Sequence, residues 1–376
     1  MKVFIFNSKK YDYSTSSIVE GLYQIKDLDV KFSNLGSYAK KKDILYGNEL
    51  VSYCSVDADI IILGSNHFVD HRTFFSLKKI KAKKVFLDGW DSGQIRISIL
   101  KMNYFDFVFK VNLYKQENTL SNLVRILFHK NSYSLWKEIS AHKLIPFPYF
   151  HGMKNHNRAR DILKNIASYF LIRSVHPLPF GVEDRVISRF NENPEYLLSC
   201  MVRTSRVLER NKLVDFLREK QKYIDKIFLN LIPYDEESWL EMERMGAADI
   251  SLGRDNRGYA NHNKAYYQQL NNSFACISIP GGGFETFRYW EILASGSLLV
   301  SKRNALQMPS ELVEGEHYLG FDTIDELEKI IEFIVKDQKN ANNIRKSGYN
   351  YALNNHRSIN RAEYLISTII DKNNHE

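Results

Sequence analysis

Short, mostly apolar runs alternate with polar loops and helical stretches along the first half of the chain. The runs are four or five residues long, at Val3–Phe6, Ile60–Leu63, Lys84–Leu87 and Phe105–Phe109. Continuous runs of this length, with room for a helix between them, are typical of parallel β-strands covered on both faces. The pattern predicts a doubly wound α/β domain whose ligands lie beyond the carboxyl ends of its strands.

The same rhythm restarts after a proline cluster at His176–Gly181, which predicts a second α/β domain. Predicted strands are Tyr196–Met201, Tyr223–Leu231, Ala248–Leu252, Ala275–Ile279 and Ser297–Val300, and predicted helices are Val207–Leu217, Tyr266–Leu270, Phe284–Ala294 and Ala362–Ile370. Thr323 and Glu326 form a capping-box pattern at the start of one more helix. Because proline stiffens a crossing segment, we predict domains at 1–176 and 177–376, and leave open a return of the last helix to the first domain.

Length and composition fit two globular domains and add one charge argument. The 376 residues are 44% hydrophobic and 26% charged, with a net charge of +8 that favours an anionic partner. Nucleic acid, an anionic membrane surface and a phosphorylated small molecule all stay open. The three cysteines form no CxxC pair, and the apolar run at Val3–Phe6 is too short for a signal peptide or a spanning helix. We therefore expect a cytoplasmic protein.

Three consecutive glycines, Gly281, Gly282 and Gly283, separate a predicted strand from a predicted helix. Glycines allow close backbone approach, and the free N–H groups of a helix start favour an anion. The segment matches neither the dinucleotide-binding pattern G-x-G-x-x-G nor the P-loop. On the helix, Arg288 and Glu291 are three residues apart, so they form either an intrahelical ion pair or part of a site.

The run from Phe284 to Gly296, FETFRYWEILASG, resembles the donor-binding helix of GT-B glycosyltransferases, and most of all their spore-maturation-type and exostosin-like branches. The likeness extends over residues 196–370. It implies two Rossmann-like domains facing each other across a cleft. It also implies a hexosyltransferase-type enzyme that moves a sugar from a nucleotide-diphosphate donor to an acceptor hydroxyl in surface glycan or polysaccharide synthesis. The co-substrate would be a UDP- or GDP-sugar, with no other cofactor and no metal.

The resemblance also implies residue roles within this run. Glu291 falls at the glutamate that holds the ribose hydroxyls, and Arg288 faces the diphosphate or pairs with a glutamate. The three glycines and Phe284 would present backbone N–H groups to phosphate or sugar, followed by Thr286 as a further donor-binding residue. Glu285 would lie near sugar hydroxyls, although its spacing from Glu291 is shorter than that of the usual glutamate pair.

Two further loops carry candidate donor-binding residues. Arg203 and Arg206 follow the first predicted strand of the second half, where related enzymes place the cation that neutralises the leaving diphosphate. Fixed positive charge at that point would stabilise the transition state. Tyr259 follows another predicted strand, and either stacks on the base or lies on a surface loop.

The catalytic base is sought beyond the strand ends of the first half. Asp91, flanked by Gly89 and Gly93, is our first choice, and Asp88 and His67 are the other candidates. A base must lie within hydrogen-bond reach of the acceptor hydroxyl, which a sequence does not show. If the enzyme retains configuration at the anomeric carbon, there is no such base.

Two patterns suggest a metal and are weighed against it. Asp57 and Asp59 match a D-x-D signature, but they precede a predicted strand rather than follow it. His67 and His71 have ligand spacing, but no third ligand accompanies them beyond Asp70. We predict no metal site.

The acceptor is expected to be a glycan or a lipid-linked sugar. The lysines within Lys78–Lys84 and Lys40–Lys42 either dock on an anionic membrane from the cytoplasmic side or form a solvated surface. A nucleic-acid-binding protein, or a transferase that modifies DNA bases, is less supported, because no zinc pattern, RNP motif or basic helix is present. A sugar-nucleotide epimerase of the same fold is a third alternative.

Overall fold

The computed structural model describes residues 1–6, 13–32, 56–64, 80–89, 105–113, 175–203, 208–224, 226–232, 264–280 and 284–371. Within these residues the strands form two sheets, and every described strand pair is parallel. Parallel pairing places the carboxyl ends of all strands at one edge of each sheet. These two edges are where ligands of open α/β sheets bind.

The first sheet has six strands in the order β2-β1-β3-β4-β5-β6. They are β1 (Lys2–Phe6), β2 (Asp29–Phe32), β3 (Ile60–Gly64), β4 (Lys83–Asp88), β5 (Phe107–Lys110) and β6 (Val175–Pro177). The predicted domain boundary after residue 176 lies inside β6.

The second sheet has five strands in the order β11-β10-β9-β7-β8. They are β7 (Tyr196–Arg203), β8 (Ile227–Ile232), β9 (Ser273–Ser278), β10 (Leu298–Lys302) and β11 (Leu319–Phe321). The ends of β7 and β9 are neighbours in this order, so Arg203 and the segment after Ser278 lie at the same edge.

The described α-helices are α1 (Tyr13–Gln24), α2 (Leu208–Gln221), α3 (Lys264–Asn271), α4 (Phe287–Ala294), α5 (Ile324–Lys336), α6 (Gln338–Asn355) and α7 (Ser358–Asp371). The predicted capping box is confirmed at the start of α5. There the Thr323 hydroxyl accepts from the Glu326 N–H at 3.2 Å, and the Glu326 carboxylate accepts from the Thr323 N–H at 3.4 Å.

Two predicted strands of the second half differ in outcome. The strand expected from Tyr223 begins at Ile227, because α2 continues to Gln221 and Tyr223 lies on the following turn with 78% of its surface exposed. The predicted run therefore includes a turn residue that no strand neighbour covers, and its start is wrong. The strand expected at Ala248–Leu252 lies outside the described residues.

Each sheet is buried on both faces, as its continuous apolar strands require. In β1, Val3 and Ile5 pack in one apolar cluster, whereas Phe4 and Phe6 pack in another on the opposite face. The second sheet is likewise covered by two clusters, with Trp290 in one and Ile331 in the other. Successive side chains along a strand point to opposite faces of the sheet, and here both faces are buried in an apolar core.

The last helix, α7, covers the first sheet rather than the second. Its residues Leu365 and Ile369 are buried in the same cluster as Val3 and Ile5 of β1. At the start of α7 the Ser358 hydroxyl donates to the Glu20 carboxylate of α1 at 2.6 Å. The chain therefore crosses between the two sheets twice, once after β6 and once between α6 and α7.

Gly21 allows α1 and α7 to pack this closely. A Cβ at position 21 would lie 2.0 Å from the Ser358 carbonyl oxygen and 2.8 Å from the Ala362 Cβ. We expect Gly21→Ala to lower the free energy of unfolding by about 3 kcal/mol, because rigid backbone must move to admit the methyl group. The matched control is Gly315→Ala, which meets no atom within 4 Å but has φ +81°, and should cost about 1–2 kcal/mol. Urea unfolding measures both, and equal losses would contradict the close contact.

Candidate functional site

The turn between β9 and α4 lies at the carboxyl edge of the second sheet, as the sequence predicts. The hydroxyl groups of Ser278, at the end of β9, and Thr286, before α4, are 3.1 Å apart. Thr286 is the N-cap residue of α4, with extended backbone at φ −125° and ψ 154°. The predicted phosphate-binding glycines between them, Gly281, Gly282 and Gly283, lie outside the described residues. The N-terminus of α4 therefore opens directly beside the end of β9, and the role of the three glycines stays a prediction.

Helix α4 begins three residues later than the predicted start at Phe284. The Glu285 N–H donates to the Asn112 side-chain oxygen at 3.0 Å, so this part of the chain is held by the first half and not by a helical turn. Phe284 is 6% exposed and packs in the apolar cluster that also contains Val111 and Phe180. Contacts between the two halves therefore determine where α4 begins.

Glu291, the candidate ribose ligand, is buried in the second half with 2% of its surface exposed. Its two carboxylate oxygens accept from the Tyr266 hydroxyl at 2.9 Å and from the Tyr267 hydroxyl at 3.2 Å. Burial raises the pKa of Glu291, while the Tyr266 hydrogen bond and the Arg288 charge oppose that rise. Both tyrosines come from α3, so α3 fixes the orientation of this carboxylate.

Arg288 lies on the first turn of α4 with an unused hydrogen-bond donor. Its Nε is buried and has no hydrogen-bond partner among the described residues. Burial lowers its pKa, but Tyr266 and Glu291 outweigh that effect, so the net pKa is raised and the guanidinium stays charged. A buried guanidinium N–H near a helix N-terminus is suited to an anionic oxygen.

Glu285 points toward the first half of the molecule. One of its carboxylate oxygens accepts from the Phe180 N–H at 2.9 Å and from the Trp290 indole N–H. The other oxygen, Oε2, is buried without a hydrogen-bond partner in the described part of the chain. Burial raises the pKa of Glu285 to about 8, and the indole N–H and the charge of Arg361 oppose the rise.

Asp88, a candidate base, is part of a fully buried ion pair. It ends β4 opposite Lys110 at the end of β5, and the Lys110 ammonium lies 3.1 Å from its carboxylate with neither side chain exposed. A small cavity beside Asp88 is also lined by Ser17 and Phe180.

The remaining sequence-predicted residues are placed only in part. Arg203 is the last residue of β7, at the edge where the glycine segment starts. The others lie outside the described residues, and they are Asp91, His67, Arg206 and Tyr259.

The sequence reasoning missed Arg361, which occupies the centre of the junction between the halves. It is 1% exposed, donates to the Pro179 carbonyl oxygen at 3.1 Å and lies over the Trp290 ring at 5.2 Å. The signal was its position in the apolar stripe of α7, four residues before Leu365. An arginine in such a stripe predicts a buried guanidinium with polar partners.

The two patterns weighed for a metal have different outcomes. The Asp59 carboxylate accepts from the Lys2 backbone N–H at 2.7 Å, and Asp57 pairs with the Lys2 ammonium, so this D-x-D pattern joins the starts of two strands. His67, Asp70 and His71 lie outside the described residues. Within the described ranges, no group of three or more metal-binding side chains comes together.

None of the helices in the described part of the chain combines the length and the apolar character needed to cross a membrane.

Comparison with protein-family models finds a match in the second half of the chain. Residues 210–367 match a family model described as "Glycosyl transferase-like", which covers α4 and its flanking elements. The second half therefore carries a glycosyltransferase-like domain; the spore-maturation-type or exostosin-like assignment stays a prediction. No curated protein sequence matches the chain.

Solved structures extend the comparison to the whole chain. HepE from Anabaena in complex with UDP superposes with a TM-score of 0.52 at 10% identity, over 98% of this chain and 99% of that chain. The HepE complex with UDP-glucose gives the same score and identity, over 99% and 100%. The pneumococcal O-GlcNAc transferase GtfA gives 0.45 at 12% identity, over 83% and 56%. The HepE likeness confirms the predicted fold class, two Rossmann-like domains of the GT-B type.

The raised pKa of Glu285 makes stability depend on pH. In the unfolded chain this group ionises near pH 4.3, whereas in the folded chain it keeps its proton up to about pH 8. The unfolded state therefore binds fewer protons between these values, and stability falls as pH rises through that window. Glutamine does not titrate, so we expect Glu285→Gln to lack this pH dependence of the free energy of unfolding. The difference amounts to a few kcal/mol at most, since each pKa unit is worth about 1.4 kcal/mol. Urea unfolding from about pH 5 to 8 measures the free energy of unfolding of both proteins. If wild type and variant change with pH in parallel, the expectation is refuted.

Proposed function

We propose that this protein is a glycosyltransferase that moves a sugar from a nucleotide-diphosphate donor to an acceptor hydroxyl. The observation that carries the proposal is the strand–glycine segment–helix unit of β9, 281–283 and α4, which lies inside the region that matches the glycosyl transferase-like family model. The fold shared with HepE supports it.

The diphosphate would bind at the N-terminus of α4. The helix dipole and the free N–H groups of the first turn favour an anion there. Arg288 adds a charged donor whose Nε has no partner among the described residues. Arg203 ends the neighbouring strand β7, and we propose that it and Arg206 neutralise the charge that develops on the leaving diphosphate.

Glu291 would hold the ribose of the nucleotide. A carboxylate has about four acceptor positions, and the two tyrosine hydroxyls occupy one on each oxygen. Ribose hydroxyls could use the remaining positions or replace Tyr267, whose hydrogen bond is the longer of the two. HepE has been crystallised with UDP and with UDP-glucose, and we propose that the donor here is also a UDP-sugar rather than a GDP-sugar.

The acceptor would approach from the carboxyl edge of the first sheet. In an inverting reaction the base removes the acceptor proton, the acceptor oxygen bonds to the anomeric carbon, and the bond to the diphosphate breaks with its electron pair on the departing oxygen. We propose Asp91 as that base. Asp88 is better suited to shaping the acceptor side through its pair with Lys110. A glycan or lipid-linked acceptor, reached at the inner face of an anionic membrane, would complete the activity.

Donor binding is the first test. In thermal-shift screening against UDP-, GDP-, CMP- and ADP-sugars, we expect the UDP-sugars to raise the melting temperature most, because a ligand of the native state stabilises it by mass action. Glu291→Gln should lose most of that shift. The matched control is Glu328→Gln, which removes the partner of Lys220 on α5. Absence of any shift in the wild type would reject the proposed function.

Arg203 is tested by comparing two ligands that differ only in their phosphates. Calorimetry with UDP and with uridine should show that Arg203→Ala lowers UDP affinity by about tenfold or more, since an ion pair to phosphate is lost. Its uridine affinity should be unchanged. Arg218→Ala, on the exposed end of α2, is the control. A loss of equal size for both ligands would place Arg203 away from the diphosphate.

A further inference from the structure

We propose that Glu285 is a positioning residue that holds the start of α4 against the first half of the chain, and that it does not bind the donor sugar. The inference rests on the proposed function, which places the nucleotide-diphosphate donor at this end of α4. Its structural basis is independent of that function, since it consists of contacts between described residues of the two halves.

The first contact is made by the side chain. Glu285 is 3% exposed, and its carboxylate accepts from the Phe180 N–H at 2.9 Å. Phe180 lies three residues after β6, the last strand of the first sheet. The Trp290 indole N–H donates to the same oxygen, so α4 itself holds the carboxylate in this direction.

The second contact is made by the backbone of the same residue. The Glu285 N–H donates to the side-chain oxygen of Asn112, which is fully buried two residues after β5. Residue 285 is therefore bonded to the segments that follow two adjacent strands of the first sheet. It lies two residues before α4, so these bonds hold the start of α4 against the first sheet.

Arg361 closes the junction from a third side. Its guanidinium donates to the Pro179 carbonyl oxygen, lies over the Trp290 ring and electrostatically favours the ionised form of Glu285. Because α7 is packed on the first sheet, Arg361 links that sheet to Trp290 of α4. These contacts hold Glu285 in place, so its side chain is not free to move with a bound sugar.

A positioning role and a ligand role give opposite patterns in mutants. A donor ligand, when removed, lowers donor affinity. Removing a positioning residue leaves donor affinity unchanged and lowers the reaction rate, because a small misplacement of the reacting groups slows the reaction strongly. Glutamine keeps the acceptor oxygen for Phe180 and Trp290, so Glu285→Gln should rescue what Glu285→Ala loses.

The experiment measures three quantities on the full chain with Glu285→Ala, Glu285→Gln and Glu20→Gln. They are the Kd of UDP, the rate of UDP-glucose hydrolysis and the hydrogen exchange of the Phe180 amide. In Glu285→Ala we expect exchange at Phe180 to become more than about tenfold faster and hydrolysis more than about tenfold slower, with the Kd of UDP within about threefold. Glu285→Gln should stay near wild type. Glu20→Gln removes a different buried carboxylate, which joins α1 to the start of α7 on the first sheet, and should leave Phe180 exchange unchanged.

Asn112→Ala keeps the proposal testable if Glu285→Ala does not fold. It removes the backbone contact and leaves the Glu285 carboxylate present, so it should also slow hydrolysis without loss of UDP affinity. A tenfold loss of UDP affinity in Glu285→Ala with unchanged Phe180 exchange would overturn the proposal in favour of a donor ligand. If the wild type binds no UDP, the proposed function fails, and the Phe180 comparison still decides whether Glu285 ties the turn to the first half.

Discussion

The contact of Glu285 with the first half is the constraint on which the arrangement of the two sheets depends. Apolar packing also joins the two halves, since Val111 and Phe180 lie in the same cluster as Phe284, but such packing is not directional. The buried carboxylate, the Phe180 N–H and the guanidinium of Arg361 are directional, and a buried polar group left unpaired is costly. Together they select one placement out of the many that two apolar surfaces would tolerate.

Much of the fold could be predicted from the sequence, because local patterns determine most of its elements. Runs such as Val3–Phe6 are apolar at every position, and a run of this length is typical of a strand covered on both faces. The capping box at Thr323 is equally local. The errors fall where distant residues decide. The start of α4 moved because Asn112, 173 residues away in the chain, binds the Glu285 N–H.

The candidate site was predictable in type but not in orientation. The glycine segment and its helix indicate an anion site, and a family resemblance adds roles for Arg288 and Glu291. Which way a side chain points depends on partners that no spacing reveals. Tyr266 and Tyr267 hold Glu291, and Phe180 turns Glu285 toward the first half. The ion pair of Asp88 with Lys110 likewise joins two strand ends that are 22 residues apart.

The return of α7 has a consequence for dividing this protein. A fragment that ends at the proline-rich crossing would include all six strands of the first sheet but not the helix that covers one of its faces. Val3, Ile5, Ile60 and Ile62 would lose the cover of Leu365 and Ile369, and an apolar sheet face open to water promotes self-association. A fragment made of the second half would keep α7 with its apolar stripe uncovered. Residues 358–371 therefore belong with the first sheet, although they follow the second sheet in the chain. Two fragments would each have a complete core only if these residues were joined to the fragment that contains the first sheet.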